Sequence, residues 1–367
     1  MDIFGEVYAW KDYDGDGIDD MIIVTTDWID FNTSKVYLVK GDSGSIIWRR
    51  PLNGELSYPA PAKQNDFNTD GVCDFVIEAN NRSQNKGTIF MLDGNDGAVI
   101  WSKTYTGRIH TCWGPSYSED FNRDGFKDII VVTRNQEHNI GKLFILKGND
   151  GSVIWDKSYD LPLRVFPIDD INRDGIKDII VESKGIEALD GVDASQIWNN
   201  PLNPLMVYVD LAYDLNEDNK EDLVVVNTTE NGLNKYMYTV TALSGVNSDK
   251  IWSSSFFHNL SINTSESLNE WPDIITRRSH DLTGDGIDDV ILQLRYYSYY
   301  PITYSEGKVI LISGKDGSEV CSAESTLDDH NVNIWVSMLD LNNDGINDLL
   351  IRTCKGVYAV SVAMNDG

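Results

Sequence analysis

Seven times along this chain, side-chain oxygens recur at alternate positions of a nine-residue stretch. The copies are DYDGDGIDD (12–20), DFNTDGVCD (66–74), DFNRDGFKD (120–128), DINRDGIKD (170–178), DLNEDNKED (214–222), DLTGDGIDD (281–289) and DLNNDGIND (340–348). Their shared form is D-x-[D/N/T]-x-D-[G/N]-x-x-D. Oxygens at positions 1, 3, 5 and 9, with a backbone carbonyl at 7, wrap a hard cation of the size of Ca2+. Glycine at position 6 permits the sharp turn between the fifth and seventh ligands.

The expected ligands in the first loop are Asp12, Asp14, Asp16 and Asp20, with the carbonyl of Ile18. The second offers Asp66, Asn68, Asp70, Asp74 and Val72, and the third Asp120, Asn122, Asp124, Asp128 and Phe126. The fourth offers Asp170, Asn172, Asp174, Asp178 and Ile176, and the fifth Asp214, Asn216, Asp218, Asp222 and Lys220. The sixth has Asp281, Thr283, Asp285, Asp289 and Ile287; the seventh has Asp340, Asn342, Asp344, Asp348 and Ile346. An EF-hand loop starts in the same way, but it needs Glu at position 12 and flanking helices. Here position 12 holds Ile23, Ile77, Val131 and Val181 in the first four copies, inside β-prone runs. A single such loop reads equally well as an Asx-turn. Seven copies with carboxylates at 1, 5 and 9 favour metal, up to seven Ca2+ in a structural role. Asn219 replaces the glycine in the fifth copy, and Asn tolerates the left-handed conformation.

The elements that must hold these loops are strands. Each loop runs into a β-prone stretch such as MIIVTT, FVIEA, IIVVT or LVVVN, and a second element follows once per unit. It is a short apolar strand, a turn opening with Gly, and a strand ending in Trp, as in VYLVKGDSGSIIW (36–48) and LFILKGNDGSVIW (143–155). The terminal residues are Trp48, Trp101, Trp155, Trp198 and Trp252, with Cys321 in the sixth copy. Each unit therefore reads as strand A, acidic loop, strand B, variable loop, strand C, glycine turn and strand D, a hairpin-linked meander of propeller-blade size. The expectation is an all-β chain forming one domain over 1–367. It is a seven-bladed β-propeller of four-stranded antiparallel meanders, whose last blade stops before strand D and leaves an open edge. Either the first residues, Asp2 to Phe4, partly fill that edge, or the chain is a piece of a longer one, the reading that the liability of an open edge favours.

Composition narrows the function classes. Lys and Arg number 30 against 58 Asp and Glu, a formal net charge of −28, which excludes a nucleic-acid binder relying on positive charge. Seven divalent cations, at two charges each, would halve that excess. No apolar run is long enough to span a membrane, so no direct insertion is expected. Cys73, Cys112, Cys321 and Cys354 are too few and scattered for a disulfide framework. The five histidines are dispersed, and no G-x-S-x-G, H-E-x-x-H or Walker loop occurs, so no enzymatic activity is expected.

The seven acidic loops resemble the FG-GAP, or VCBS, repeat of calcium-binding propellers such as that of the integrin α-subunit. The glycine turn and terminal Trp look like the repeat of quinoprotein, PQQ-type, propellers, where the Trp packs between blades. That family's quinone site uses adjacent cysteines, which this sequence lacks. The FG-GAP resemblance implies a calcium-stabilised extracellular or cell-surface module for binding or adhesion to a protein or carbohydrate ligand. The alternative is a carbohydrate-active propeller, a lectin or a polysaccharide lyase-like domain with Arg164, Asp273, Arg277 and Arg278 on its strands A.

Meander topology puts the acidic loops and glycine turns on one side and the B–C and D–A loops on the other, where binding specificity is expected. Aromatic residues gather in the D–A connection 253–271 and the B–C loop 295–308. They make Phe256, Phe257, Trp271, Tyr296, Tyr297, Tyr299, Tyr300 and Tyr304 the candidate ligand-binding sector.

Overall fold

A computed structural model of the chain describes residues 3–9, 12–27, 34–61, 66–109, 119–135, 137–160, 163–201, 207–230, 235–259, 273–278, 281–297, 305–327, 335–339, 348–353 and 356–360. All regular structure among them is β-strand. None of it is a helix long and apolar enough to cross a membrane.

The strands pair in chain order as antiparallel sheets. Sheet 1 holds β1 to β4 (Ile3–Ala9, Met21–Asp27, Ser34–Val39, Ile46–Leu52), and sheet 2 holds β5 to β8 (Glu55–Pro61, Phe75–Asn81, Lys86–Leu92, Val99–Thr106). Sheet 3 holds β9 to β12 (Arg108–Ile109, Ile129–Asn135, Ile140–Leu146, Val153–Asp160), and sheet 4 holds β13 to β16 (Arg164–Ile168, Asp178–Glu182, Ile186–Leu189, Gln196–Asn200). Sheet 5 holds β17 to β20 (Val207–Leu211, Leu223–Glu230, Lys235–Leu243, Lys250–Asn259), and sheet 6 holds β21 to β24 (Asp273–Arg278, Val290–Tyr297, Ser305–Ile312, Glu319–Leu327). Sheet 7 has three strands among the described residues, β25 to β27 (Trp335–Leu339, Asp348–Thr353, Gly356–Val360). The result is an all-β, propeller-like arrangement of four-stranded meanders. The chain divides into two compact units, Met1–Leu202 with sheets 1 to 4 and Asn203–Gly367 with sheets 5 to 7.

Sheets 1 to 4 of the first unit stack face to face in succession, as do sheets 5 and 6 of the second. Ile22, Leu38 and Trp48 of sheet 1 meet Phe75, Ile77 and Leu92 of sheet 2. The alternate residues of sheet 2, Val76, Ile89 and Met91, meet Ile129, Val131 and Leu146 of sheet 3. Sheets 3 and 4 join in the same way, as do sheets 5 and 6 in the second unit. Strands covered on both faces explain the continuous apolar runs after each acidic loop.

All six C–D hairpins of sheets 1 to 6 carry a bulge at one place, after Leu38, Met91, Ile145, Ala188, Ala242 and Leu311. One extra residue in strand D turns the chain so that Ile46 is exposed while Trp48, two residues on, is buried. The seams are also tied on the side opposite the acidic loops. Asn80 of β6 donates to the Ile109 carbonyl at 3.0 Å and accepts the Ile109 N–H at 2.7 Å.

Candidate functional site

The backbone of each described acidic loop is held by its own carboxylates. In the second loop, Asp66 accepts the N–H groups of Asp70 (3.1 Å) and Gly71 (2.7 Å), Asn68 Oδ1 accepts that of Asp70 (3.0 Å), and Asp70 accepts that of Val72 (2.8 Å). The third and fourth loops repeat these bonds around Asp120, Asn122 and Asp124 and around Asp170, Asn172 and Asp174. The fifth repeats them around Asp214, Asn216 and Asp218, and the sixth around Asp281 and Asp285. Position 6 is left-handed throughout, with φ of 93° at Gly71 and 64° at Asn219. Position 4 is left-handed too, and there Thr69, Arg123, Arg173 and Glu217 bear the strain. Nothing in the motif marked that position.

Position 9 is the buried end of the loop. Asp20, Asp74, Asp128, Asp178, Asp222 and Asp289 are all inaccessible or nearly so. Asp74 Oδ2 accepts the N–H of Phe67 at 2.7 Å, while its Oδ1 accepts that of Gly94, in the turn between strands C and D, at 3.1 Å. The same bond to the turn glycine links Asp20 to Gly41, Asp178 to Gly191, Asp222 to Gly245 and Asp289 to Gly314. Burial pushes Asp74, Asp178 and Asp289 up to about 6, against the backbone donors that favour their ionised forms. Burial, helped by neighbouring carboxylates, pushes Asp128 and Asp222 up to about 7.

That turn glycine joins three parts of the fold. Its N–H goes to the aspartate, and its α-carbon lies against the position-8 carbonyl, so a Cβ on Gly94 would strike the Cys73 oxygen. Its own carbonyl receives the indole of the preceding sheet: Trp48 donates to Gly94 at 2.9 Å, Trp101 to Gly148 at 2.7 Å, Trp155 to Gly191 at 2.8 Å and Trp252 to Gly314 at 2.6 Å. Three residues further on, left-handed glycines lie under the same rings, and a Cβ on Gly97 would stand 2.6 Å from Trp48 Cε3. In sheet 4 that position is Ala194, and Trp155 above it is half-buried where Trp48, Trp101 and Trp252 are buried.

The donor set fits a hard divalent cation. In the first loop, ligand oxygens of Asp12, Asp14 and Asp20 all lie within 4.8 Å of one another. Backbone N–H groups brace the carboxylates and take up both lone pairs of some oxygens, as at Asp74 Oδ2, which accepts from Phe67 and Asn68, while others, such as Asp66 Oδ2 with one donor, Gly71, have a lone pair to offer a metal. Asp14 is also paired with Lys40, which holds its carboxyl below the ordinary range. In the seventh loop Asp340, Asn342, Asp344 and Ile346 lie outside the described residues, and Asp348 opens β26.

The structure describes only part of the aromatic sector. Phe256 and Phe257 belong to β20 rather than to a connecting loop, and Phe256 is packed in the core beside Tyr238 while Phe257 is 57% exposed. Tyr296 and Tyr297 end β22. Trp271, Tyr299, Tyr300 and Tyr304 lie outside the described residues. Arg164, one of the strand A residues of the lyase-like alternative, pairs with the buried Glu182 at 3.4 Å.

A family model of the PQQ type, PQQ_2, described as outer membrane protein assembly factor BamB, matches residues 19–173, under half of the chain. No curated protein matches. Among solved structures, the chain is similar to the quinohemoprotein alcohol dehydrogenase ADHIIG of Pseudomonas putida HK5, at 12% identity and a TM-score of 0.44, over 98% of this chain and 66% of that one. It is also similar to the quinohemoprotein alcohol dehydrogenase of Comamonas testosteroni, at 10% identity and a TM-score of 0.37, over 97% of this chain and 73% of that one.

The PQQ-type match overturns the assignment to FG-GAP/VCBS and integrin α propellers. It also overturns the adhesion module and the carbohydrate-active alternative that followed from that assignment. The physical reason is that a cation wrap needs only alternating oxygens and a left-handed turn, and so can be grafted onto unrelated scaffolds. The seams between sheets are carried by the turn glycine and the tryptophan.

Proposed function

We propose that the chain is a PQQ-type, BamB-like propeller scaffold of seven blades that acts by contact with another protein during that protein's assembly, with no chemistry of its own. Its acidic loops hold up to seven Ca2+ as structural clamps. The setting is outside the cytosol, where free calcium suits individually weak sites. Partner contact is assigned to the B–C and D–A side, away from the clamps. Two observations support this reading. The matching family model describes an assembly factor. The recurring polar residues, from Asp74, Asp178 and Asp289 to the turn glycines, are engaged in holding loops, turns and sheets together.

The test pairs one measurement in the native host with one on the purified chain in calcium. Cross-linking in the native host, read by mass spectrometry, is expected to tie the hairpin tip at Arg82–Asn85 and its counterparts to one recurring partner protein. Alcohol-dependent dye reduction with added quinone cofactor is expected to stay at background. Quinone-dependent turnover, or cross-links confined to the acidic-loop side, would overturn the proposal.

A further inference from the structure

In sheets 1 to 6 strand D ends the sheet, and among the described residues no strand pairs with its outer side. Such an edge is a template for another strand, and chains blunt it with charge, proline or short length. Five of the six edges are guarded in this way. β4 carries Arg49, Arg50 and Pro51, β8 carries Lys103, and β12 carries Asp156, Lys157 and Asp160. β16 has no charge but only five residues, and β24 has Glu319 and Glu324. β20 has none of these devices. It runs for ten residues, longer than any other described strand, and at neutral pH its first residue, Lys250, is its one charge.

The face beside that edge is uncharged as well. Beyond the bulge common to all six hairpins, β20 pairs with β19 without interruption from Trp252 to Asn259. Trp252 and Phe256 turn into the core, while Ser253, Ser255 and Phe257 are exposed. On β19 they stand opposite Thr241, Thr239 and Met237, and the hydroxyls of Thr241 and Ser253 lie 2.9 Å apart. Among the described large apolar residues that are exposed, Phe257 is the one aromatic. A strip two strands wide is thus free of charge in a chain whose formal net charge is −28.

We infer that β20 is a self-pairing edge, through which two copies of this chain join antiparallel about a two-fold axis at Ser255, making one continuous sheet of two. The occupant of this edge must be extended, open on one side and uncharged over the same length. β20 itself meets all three conditions, whereas the other long strands D would carry charge into the join. Pairing about Ser255 sets Ser253 opposite Phe257 and Ser254 opposite Phe256, so like faces meet and Lys250 falls beyond the paired span. Each chain has one such strand D, so the contact closes at two copies instead of running on as a fibre. Repulsion between two chains of −28 is screened by salt and the strand pairing is not, so association strengthens as ionic strength rises.

The test is sedimentation velocity of the full chain over a concentration series in low and in physiological salt. A dimer that grows with concentration and with salt is expected. Ser255→Lys sets two ammonium groups against each other at the axis and is expected to leave monomer. Thr104→Lys, exposed on the already guarded β8, should leave the dimer whole, and circular dichroism checks that both variants are folded. Ser255→Cys gives a second readout without added charge. Opposed residues of antiparallel strands stand about 4.5–5.5 Å apart at Cα, within disulfide reach, so mild oxidation should trap a covalent dimer that the parent chain does not form. A parent that stays monomeric at its highest soluble concentration overturns the inference, as does a dimer that Ser255→Lys leaves whole. Protection of the β20 amides from hydrogen exchange only when a different protein is added would assign the edge to that protein and overturn it too.

Discussion

Replacing Gly94 by Ala isolates the junction from the loop that feeds it. Gly94 has no left-handed φ, so alanine there carries no backbone penalty of its own, and the whole effect is steric. The new Cβ would land on the Cys73 carbonyl oxygen and 3.0 Å from both Cys73 C and Val72 Cγ1. A backbone carbonyl cannot swing aside, so relief requires the turn to lift off the loop. Lifting stretches the Gly94 N–H bond to Asp74 at 3.1 Å and the Trp48 bond to the Gly94 carbonyl at 2.9 Å. A hydrogen bond to a charged group contributes about 1.5–3 kcal/mol and a neutral one about 1 kcal/mol, so the loss comes to about 2.5–4 kcal/mol. The control is Gly71→Ala, at φ 93° with nothing within 4 Å of its Cβ, which costs only the left-handed penalty of about 1–2 kcal/mol. By calorimetry, Gly94→Ala should lower the melting temperature by about 10 °C and Gly71→Ala by about 4 °C. Equal shifts, or the reverse order, would mean that the turn is not clamped between Asp74 and Trp48.

Trp101→Phe keeps most of the ring but removes the indole donor to Gly148, leaving a buried carbonyl unpaired. It should cost about 1–3 kcal/mol in chemical denaturation, and no loss would show that water replaces the bond. Ala194→Gly relieves a left-handed alanine with φ of 63° and lets Trp155 settle, so stability should rise by about 1 kcal/mol with a blue shift in tryptophan emission. Asp178→Ala strips the acceptor from the N–H groups of Ile171, Asn172 and Gly191. It should destabilise by about 3 kcal/mol or more, read by the denaturation midpoint, whereas substitution of the exposed Asp193 should change little. The pH response of the metal-free chain follows from the raised carboxyls. Asp74, Asp178 and Asp289 near 6, and Asp128 and Asp222 near 7, keep protons that the unfolded chain releases above about 4. Because the folded state binds more protons than the unfolded one across that window, these five groups make stability fall as pH rises from about 4 through 6 and 7. Melting scans from about pH 5 to 8 should show this decline without calcium and lose it with calcium, which favours the ionised carboxylates. A flat metal-free profile would refute it.

The B strands could be read from sequence because both of their faces are covered: Phe75 to Asn80 are all buried, and such a run leaves no alternation to misread. The acidic loops could be read because their oxygens recur at a period of two in every copy. The role of position 9 was hidden, since an aspartate that ligates metal and one that anchors a turn glycine have the same spacing. A signal was present in the recurring apolar residue at position 2. Phe67 and Phe121 there pack against Gly148 and Gly191 of the following sheets, which marks the loop as part of a seam. Strand ends were misplaced where aromatic residues continued a strand without a breaker. In β20, Trp252, Ser254 and Phe256 face inward while Ser253, Ser255 and Phe257 face out, so the period of two carries through to Phe257. The contacts of Lys40, Asp93, Lys147 and Asp190 with the acidic loops depend on a turn folding back over a loop some twenty residues earlier, and no local pattern encodes them.

Asx-turn and cation wrap were rival readings of the acidic loops, and the hydrogen bonds show the turn while the cation remains the proposal made above. Backbone N–H groups already neutralise part of each carboxylate: Asp66 takes two and Asp74 takes three. The loop therefore takes its shape from its own hydrogen bonds, and on the calcium proposal an ion would add mainly relief of the repulsion that remains. The same separation explains how the loops could suggest one family while the sheets match another. Cation chemistry resides in oxygens that any tight turn can present, whereas the fit of Trp48 onto Gly94 and Gly97 involves two whole sheets at once.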